Sequence, residues 1–199
     1  MDEKYRGIGK SSFGLIDTKR LFSLLDLKKN FVFIDLACGR GEYSIAASLF
    51  AGEKGRIYAL DRWVEGVQSL KKTTGEKGIN SILPIQADIS KGLPLANRCA
   101  DICLLAAVFH DLLPTKSHEQ TMVEVRRILK LTGVLAVIDF KKVAGPPGPA
   151  AESKISPEEL EKLVRPHGFH QESTREIGRH HYVSLFVRHR IIATADRMN

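Results

Sequence analysis

Acidic residues follow the apolar runs of this 199-residue chain at the points where the runs end. Asp35 closes the first run and precedes a turn that contains Gly39 and Gly41, and Asp61 closes the second run. Carboxylates accept hydrogen bonds from hydroxyl and amino groups, and glycines let a ligand approach the backbone without a Cβ in the way. The interval of about twenty residues between turn and second acid is typical of a site for a nucleotide-like molecule.

A histidine follows another apolar run in the same way. His110 comes shortly after residues 100–106, with Asp111 beside it, and Asp139 lies near the end of the next run. Histidine titrates near neutral pH and can therefore move protons, while Asp111 could orient the imidazole or act as the base itself. A lone histidine is often structural, so a pocket role and a packing role both stay open.

These side chains need a sheet to bring them to one edge. Apolar runs predict strands at residues 31–36, 56–61, 81–86, 100–106 and 134–140. Pro84 favours an edge position for the third strand, and the strongly apolar fourth strand should be central. A helix is predicted over residues 42–50, with an apolar stripe at Ile45, Leu49 and Phe50, and another is predicted over residues 118–129. Residues 131–133 are predicted to form a turn.

The last third of the chain begins with a loop of proline and glycine at residues 144–150, which is either a lid over the site or a connector. Ser156 and Glu159 form a capping box at the start of a helix. Strands at residues 171–177 and 182–187 are joined by a short turn and must pair antiparallel. His180 and His181 fall on this turn without partners of the ligand type, so no metal site is expected.

The Asp-x-x-x-Gly-x-Gly turn from Asp35 to Gly41 resembles that of the class I S-adenosylmethionine-dependent methyltransferases. The chain is most similar to the small family of ubiquinone/menaquinone-type methyltransferases, through this turn, Asp61, Ala87-Asp88 and Phe109-His110-Asp111. The resemblance is firm over residues 31–140. Ala37 departs from it, because the family usually has its first glycine there. The resemblance implies an α/β, Rossmann-like sheet of five parallel strands and a C-terminal antiparallel hairpin, with helices on both faces.

The resemblance also implies roles for particular residues, with S-adenosyl-L-methionine as the cofactor. Asp61 would accept from the ribose hydroxyls, and its alternative role is a helix N-cap. Asp88 would accept from the adenine amino group, and its alternative role is to form a turn. The residues expected to bind cofactor are Asp35, Ala37, Gly39, Gly41, Asp61, Arg62, Asp88, Ile89 and Ala106. The residues expected to face the methyl acceptor and to be catalytic are His110, Asp111 and Asp139.

One domain is expected over residues 1–199. Residues 1–30 would form an N-terminal helical cap, residues 31–140 the cofactor-binding core, and residues 141–199 the proline loop, a helix and the hairpin. In similar methyltransferases an N-terminal helical segment covers the cofactor. The alternative is a helix that only packs on the edge of the sheet.

Composition and charge limit the classes of partner and the compartment that we expect for this protein. The net charge of +7 comes from cationic residues that are scattered among acids, without a basic run interleaved with aromatic residues, which argues against a nucleic-acid partner. An odd number of cysteines suits a reducing cytoplasm, and no apolar run is long enough for a membrane span. We therefore expect a cytoplasmic methyltransferase with a small-molecule acceptor. A cofactor-binding module without chemistry and an RNA or protein methyltransferase are the alternatives.

Overall fold

The computed structural model describes residues 9–189; residues 1–8 of the predicted cap and the last residues, 190–199, lie outside the described part. Seven strands form one sheet in the order β3-β2-β1-β4-β5-β7-β6. The strands are β1 (Val32–Leu36), β2 (Arg56–Asp61), β3 (Ile82–Gln86), β4 (Ala100–Ala106), β5 (Leu129–Phe140), β6 (Phe169–Glu176) and β7 (His181–Arg188). The first five are parallel, and β7 pairs antiparallel with both β5 and β6, so the predicted fold class is confirmed.

The sheet places the predicted chemistry at one edge. Asp35 of β1 lies opposite Ala59 of β2 on one side and opposite Leu104 of β4 on the other. The carboxyl ends of these parallel strands therefore meet, which is where open α/β sheets bind their ligands. The prediction of β3 at an edge and of β4 in the centre is also confirmed.

Helices cover both faces of the sheet, and each face buries its own apolar core. They are α1 (Thr18–Leu25), α2 (Glu42–Ser48), α3 (Val64–Glu76), α4 (Phe109–Leu112), α5 (Ser117–Ile128) and α6 (Pro157–Val164). The predicted capping box begins α6: Ser156 Oγ accepts from the Glu159 amide, and a Glu159 carboxylate oxygen accepts from the Ser156 amide at 2.8 Å. Between residues 9 and 189 no helix has the length and apolar character that crossing a membrane requires.

Two local predictions were wrong. Residues 131–133 do not separate a helix from a strand, because β5 already begins at Leu129 and carries them as an irregularity. Ala100 pairs with Leu129 but Ile102 pairs with Val134, so β5 holds extra residues that have no partner in β4. The helix predicted over residues 42–50 is shorter, because α2 ends at Ser48. Leu49 therefore does not belong to the buried stripe of the helix, and its side chain is 83% exposed.

Candidate functional site

The turn after β1 is built from residues with positive φ. Ala37, Gly39 and Gly41 have φ angles of 59°, 57° and 76°. A Cβ added to Gly41 would lie 2.5 Å from the side chain of Leu70, whereas one added to Gly39 would meet nothing within 4 Å. Gly41 is therefore required for packing of α3 against the turn. Gly39 instead leaves open space at the carboxyl edge of the sheet, which fits the approach of a ligand.

The geometry also explains the departure from the family pattern at Ala37. A left-handed conformation costs an ordinary L-residue about 1–2 kcal/mol, and glycine avoids that cost. Ala37 is the smallest residue that carries a Cβ, and it packs against the core from a partly buried position. The positive φ at Ala37 is the conformation that the family's usual glycine adopts most easily, and this chain keeps that conformation with an alanine.

Asp61 holds the turn. One oxygen of its carboxylate accepts from the Gly39 amide and the other accepts from the Trp63 amide, both at 2.7 Å. The side chain is almost buried, and each oxygen keeps a second lone pair. Asp61 can therefore fix the turn and still accept from two vicinal hydroxyls at the end of β2.

Asp35 lies beneath this turn instead of on its surface. It is 1% exposed, and its carboxylate accepts from Ser44 Oγ of α2 at 2.6 Å. Burial raises the pKa of Asp35 to about 7, and the nearby charge of Asp61 adds to the rise, while the hydrogen bond from Ser44 opposes it. Asp35 thus connects β1 to α2 and places a titrating proton directly under the predicted cofactor site.

The structure gives Asp88 the turn interaction that the sequence left open. Its Oδ1 accepts from both the amide and the hydroxyl of Ser90, at 3.0 and 2.6 Å. Burial would raise the pKa of Asp88, but the bonds from Ser90 and the charges of Lys91 and Arg62 hold it below its ordinary value. The remaining oxygen, Oδ2, is 4.0 Å from Lys91 Nζ, and Ile89 packs in the core with 6% of its surface exposed.

Arg62 and Ala106 complete the predicted cofactor residues. Arg62 directly follows β2 and is exposed, and its charge acts to lower the pKa values of both Asp88 and Asp111. Ala106 ends β4, partly buried, and the chain turns at Ala107 with a φ of 53°. The backbone therefore leaves the sheet directly beside the glycine turn of the neighbouring β1.

His110 and Asp139 form a buried pair. His110 Nδ1 lies 2.8 Å from Asp139 Oδ1, and their side chains are 7% and 0% exposed. Asp139 also accepts from the amides of His110, at 3.3 Å, and Phe140, at 2.8 Å, so it is held as an acceptor. That arrangement makes Nδ1 the donor and leaves Nε2 as the nitrogen with a free lone pair.

Asp111 stands on the open side of the pair. Its carboxylate lies 3.5 Å from His110 Nε2, and about half of its side chain is exposed. Burial alone would lower the pKa of His110, but the hydrogen bond to Asp139 and the charges of Asp139 and Asp111 raise it above its ordinary value. Burial likewise raises the pKa of Asp111, with help from Asp139 and against the charges of His110 and Arg62.

The described part of the N-terminal segment crosses this edge of the sheet. Gly9 lies against the ring of Trp63, where an added Cβ would be 3.3 Å from the indole. Ser12 Oγ then makes a hydrogen bond of 2.8 Å with the hydroxyl of Tyr43, and the Asp17 amide donates to the Ile177 carbonyl. The segment thus runs from the end of β2, past the start of α2, to the turn before β7.

Sequence reasoning did not single out Trp63, Ser44 or Phe140. Trp63 lies two residues after the acid of β2, with the Arg40 guanidinium 5.4 Å from its ring centroid. Phe140 contacts the His110 ring edge-on, with centroids 5.6 Å apart. Trp63 could have been found from the sequence, because an aromatic residue just past a strand end is often part of a ligand site at that edge. Ser44 could not, because only its hydrogen bond to the buried Asp35 reveals its role.

These features define a class. The sheet order, the open turn at Gly39 and the acid at the end of β2 are those of a Rossmann-like fold that binds a nucleoside cofactor. The residues fit S-adenosylmethionine: Asp61 offers two acceptors for a ribose, and the backbone at Gly39 leaves room for the ligand.

The chain belongs to a methyltransferase domain family, which it matches over residues 27–179. It is 32% identical over 108 residues to the ubiquinone/menaquinone biosynthesis C-methyltransferase UbiE of Blochmanniella pennsylvanica, covering 54% of this chain and 41% of that protein. It is 30% identical over 61 residues to a protein of Sulfurisphaera tokodaii named a probable cobalt-precorrin-6B C(15)-methyltransferase (decarboxylating), covering 31% of this chain and 32% of that protein. The matched regions span less than half of these relatives.

Among solved structures, a SAM-dependent methyltransferase from Aquifex aeolicus superposes with a TM-score of 0.81 at 24% identity. The match covers 94% of this chain and 98% of that one, and at this identity it shows a shared fold. Family and fold together make this chain a class I methyltransferase, for which S-adenosylmethionine is the cofactor.

Proposed function

We propose that this protein transfers a methyl group from S-adenosylmethionine to a small-molecule acceptor that binds beside His110. The observation that carries the proposal is the buried His110–Asp139 pair, with its 2.8 Å contact, at the end of β4. β4 is hydrogen-bonded to β1, and Leu105 lies opposite Leu36, so the pair and the glycine turn leave neighbouring strands at the same edge. This juxtaposition supports a base placed next to the methyl donor.

The cofactor would be held by the ends of the first strands. Asp61 would accept from the ribose hydroxyls, and the open backbone at Gly39 would receive the amino acid part of the molecule. Asp88 has one carboxylate oxygen outside its turn, Oδ2, which suits an adenine amino group. The bound cofactor supplies a methyl carbon on a positively charged sulfur, which leaves as a neutral thioether.

His110 would remove a proton from the acceptor. Asp139 accepts from Nδ1 and so fixes the tautomer, which leaves Nε2 to take the proton from an acceptor hydroxyl, amine or acidic carbon. With its proton on His110, the acceptor atom would take the methyl group, and the electrons of the carbon–sulfur bond would remain on sulfur. Asp111 would stabilise the imidazolium that results, since it lies 3.5 Å from Nε2.

A small acceptor fits the way in which the edge is covered. The segment from Gly9 to Asp17 runs along it, and Gly148 of the loop of residues 144–150 lies against Phe140. A polynucleotide would also need a continuous basic track, and the cationic side chains of this chain are scattered among acids.

Labelled-methyl transfer from S-adenosylmethionine into metabolite pools tests the proposal. Wild-type protein should label a small molecule, and a His110→Gln variant should lower the turnover by about a hundredfold or more with unchanged affinity for S-adenosylhomocysteine. Labelling only of RNA or protein would overturn the acceptor class. Tight cofactor binding without transfer to any pool would instead indicate a binding module.

A further inference from the structure

Three arginines lie together at the edge of the sheet opposite to the cofactor site. Arg98 precedes β4, Arg126 lies in the last turn of α5, and Arg188 ends β7. Ala100 pairs with Leu129, so the amino ends of β4 and β5 meet directly after α5. Because β7 is antiparallel to β5, its last residue lies beside the same end of β5. The fold thus gathers into one place three cations that are separate in the sequence.

Backbone carbonyls hold the guanidinium groups of Arg126 and Arg188. Arg188 Nη1 donates to the Leu129 carbonyl at 3.0 Å, and Arg126 Nη1 donates to the carbonyls of His167 and Gly168, both at 3.0 Å. Both side chains use Nη1 alone for these bonds, so the edge formed by Nε and Nη2 has no partner within residues 9–189. That edge presents two parallel N–H donors, which suit two oxygens of one anion. A guanidinium that is already held loses little freedom when it binds.

A loop that is tied to the end of α5 carries Arg98. The Arg98 amide donates to the Arg127 carbonyl at 2.9 Å, and the Arg127 guanidinium donates to Asn97 Oδ1, also at 2.9 Å. The φ of Arg98 is 52°, in the left-handed region that few residues other than glycine adopt, and its side chain is exposed. The two hydrogen bonds therefore fix the point at which the Arg98 side chain leaves the backbone.

No carboxylate of the described residues neutralises these three charges. Arg98, Arg126 and Arg188 form no ion pair within residues 9–189, whereas the neighbouring Arg127 lies 2.7 Å from a carboxylate oxygen of Glu124. Burial lowers the pKa of Arg188, and the charges of Arg126 and Arg98 lower it further. The carbonyl end of α5 carries about half a negative charge, which offsets only part of this excess. An anion that binds here therefore relieves repulsion between like charges.

We propose that Arg98, Arg126 and Arg188 form a second binding site, for a phosphate or pyrophosphate group. The free Nε–Nη2 edges of Arg126 and Arg188 each bind oxygens of the group, and Arg98 adds a third positive charge. Paired donors of this kind match the oxygens of phosphate and have no such match in a spherical anion like chloride. Three residues make a site for one group, whereas a polynucleotide needs a continuous track. The site lies at the opposite edge from the cofactor and does not depend on the identity of the methyl acceptor.

Calorimetric titration with inorganic pyrophosphate tests the proposal, at an ionic strength that sodium chloride keeps constant. Wild-type protein should bind one pyrophosphate, and Arg126→Gln and Arg188→Gln should each bind it about tenfold or more weakly, because each loses charge-assisted hydrogen bonds. Arg188→Lys keeps the charge without the paired donors and should bind with an affinity between those of wild type and Arg188→Gln. Arg98→Gln should also weaken binding, and as a change to an exposed side chain it is the variant least able to disturb the fold.

Arg175→Gln is the matched control, because Arg175 Nη1 also donates to a backbone carbonyl, that of Thr174 at 2.8 Å, but near the far end of β6. It should leave pyrophosphate binding unchanged. An equal loss of affinity in Arg175→Gln would show general attraction of anions to a basic protein and would overturn the site.

Vesicles of phosphatidylcholine with phosphatidic acid distinguish a lipid headgroup from a soluble phosphate compound. Binding to these vesicles without binding of pyrophosphate, lost in Arg126→Gln and Arg188→Gln, would assign the phosphate to a lipid. Binding of pyrophosphate without binding to vesicles would assign it to a soluble compound. If folded wild-type protein binds neither probe, the arginines do not form a phosphate site and the proposal is overturned.

Discussion

The buried pair at the end of β4 makes a quantitative prediction for Asp139→Asn. In the wild type the hydrogen bond to Asp139 and the negative charges of Asp139 and Asp111 outweigh the effect of burial on the pKa of His110. Asparagine has nearly the same shape but no charge. The variant should therefore leave burial, which lowers the pKa, as the dominant influence.

The size of the change follows from the contact. Asp139 is fully buried and lies 2.8 Å from Nδ1, and a charge-assisted hydrogen bond of this kind contributes about 1.5–3 kcal/mol. Since about 1.4 kcal/mol corresponds to one pKa unit, the pKa of His110 should fall by roughly 1–2 units. Asp111→Asn is the control, because its carboxylate is 3.5 Å away and half exposed. Solvent screens such a charge, and its removal should lower the pKa by a few tenths of a unit.

Titration of the ring nitrogens by NMR measures both variants, with His110→Gln to assign the resonances. The pH dependence of turnover should follow the same order, since only neutral His110 can accept a proton. Activity should rise as the pH passes through the pKa of His110, and Asp139→Asn should move that rise to lower pH. An unchanged pKa in folded Asp139→Asn, or a larger drop in Asp111→Asn, would refute the assignment of Asp139 as the partner.

Three further predictions concern the turn. Gly39→Val should lose S-adenosylhomocysteine binding, because its branched side chain fills the open space at the turn and resists the φ of 57°, and the same strain should lower stability. Gly41→Ala should cost about 2–4 kcal/mol of stability through its φ of 76° and its contact with Leu70. Calorimetry on folded protein and urea unfolding separate binding from stability, and normal binding by folded Gly39→Val would contradict the site. Ala37→Gly should relieve a positive φ and stabilise the protein by up to about 1 kcal/mol in urea unfolding, and a loss of stability would contradict this. The folded pKa of Asp35, about 7, exceeds its unfolded value, so its contribution to stability falls as the pH rises from about 4 to about 7. Asp35→Asn should therefore gain about 2–3 kcal/mol more over the wild type near pH 8 than near pH 5 in urea unfolding, and an equal difference at both pH values would contradict the buried carboxylate.

The apolar runs were sufficient to place the strands along the chain. The short turn before β7 forces an antiparallel hairpin, and Pro84 suits an edge strand, whereas the sheet as a whole was expected from the resemblance to the methyltransferase family. The acid of β2 was found in the same way, from its place at the end of an apolar run. These are features of local pattern and chain order.

The remaining features depend on contacts between distant residues. The irregularity in β5 follows from the pairing of Leu129 with Ala100. In the sequence alone, Gly133 within residues 131–133 is typical of an ordinary turn. Asp88 is engaged by Ser90, a bond that competes with its expected role and that depends on local backbone conformation. From the sequence, His181 was weighed only as a metal ligand. Its burial against Phe140 could not be predicted, because that contact depends on the register between β5 and β7.

The central claim, a cofactor site at the ends of β1 and β2, is tested most directly by calorimetric titration with S-adenosylhomocysteine. Wild-type protein should bind one molecule, and Asp61→Ala should bind about thirtyfold more weakly or worse, a loss of about 2–4 kcal/mol from two hydrogen bonds to a carboxylate. Asp101→Ala is the matched control, because Asp101 also accepts from a backbone amide, that of Val32 at 2.8 Å, but at the opposite edge of the sheet. The account predicts unchanged binding for Asp101→Ala and weak binding for folded Asp61→Ala. Equal dissociation constants for Asp61→Ala and wild type would contradict it.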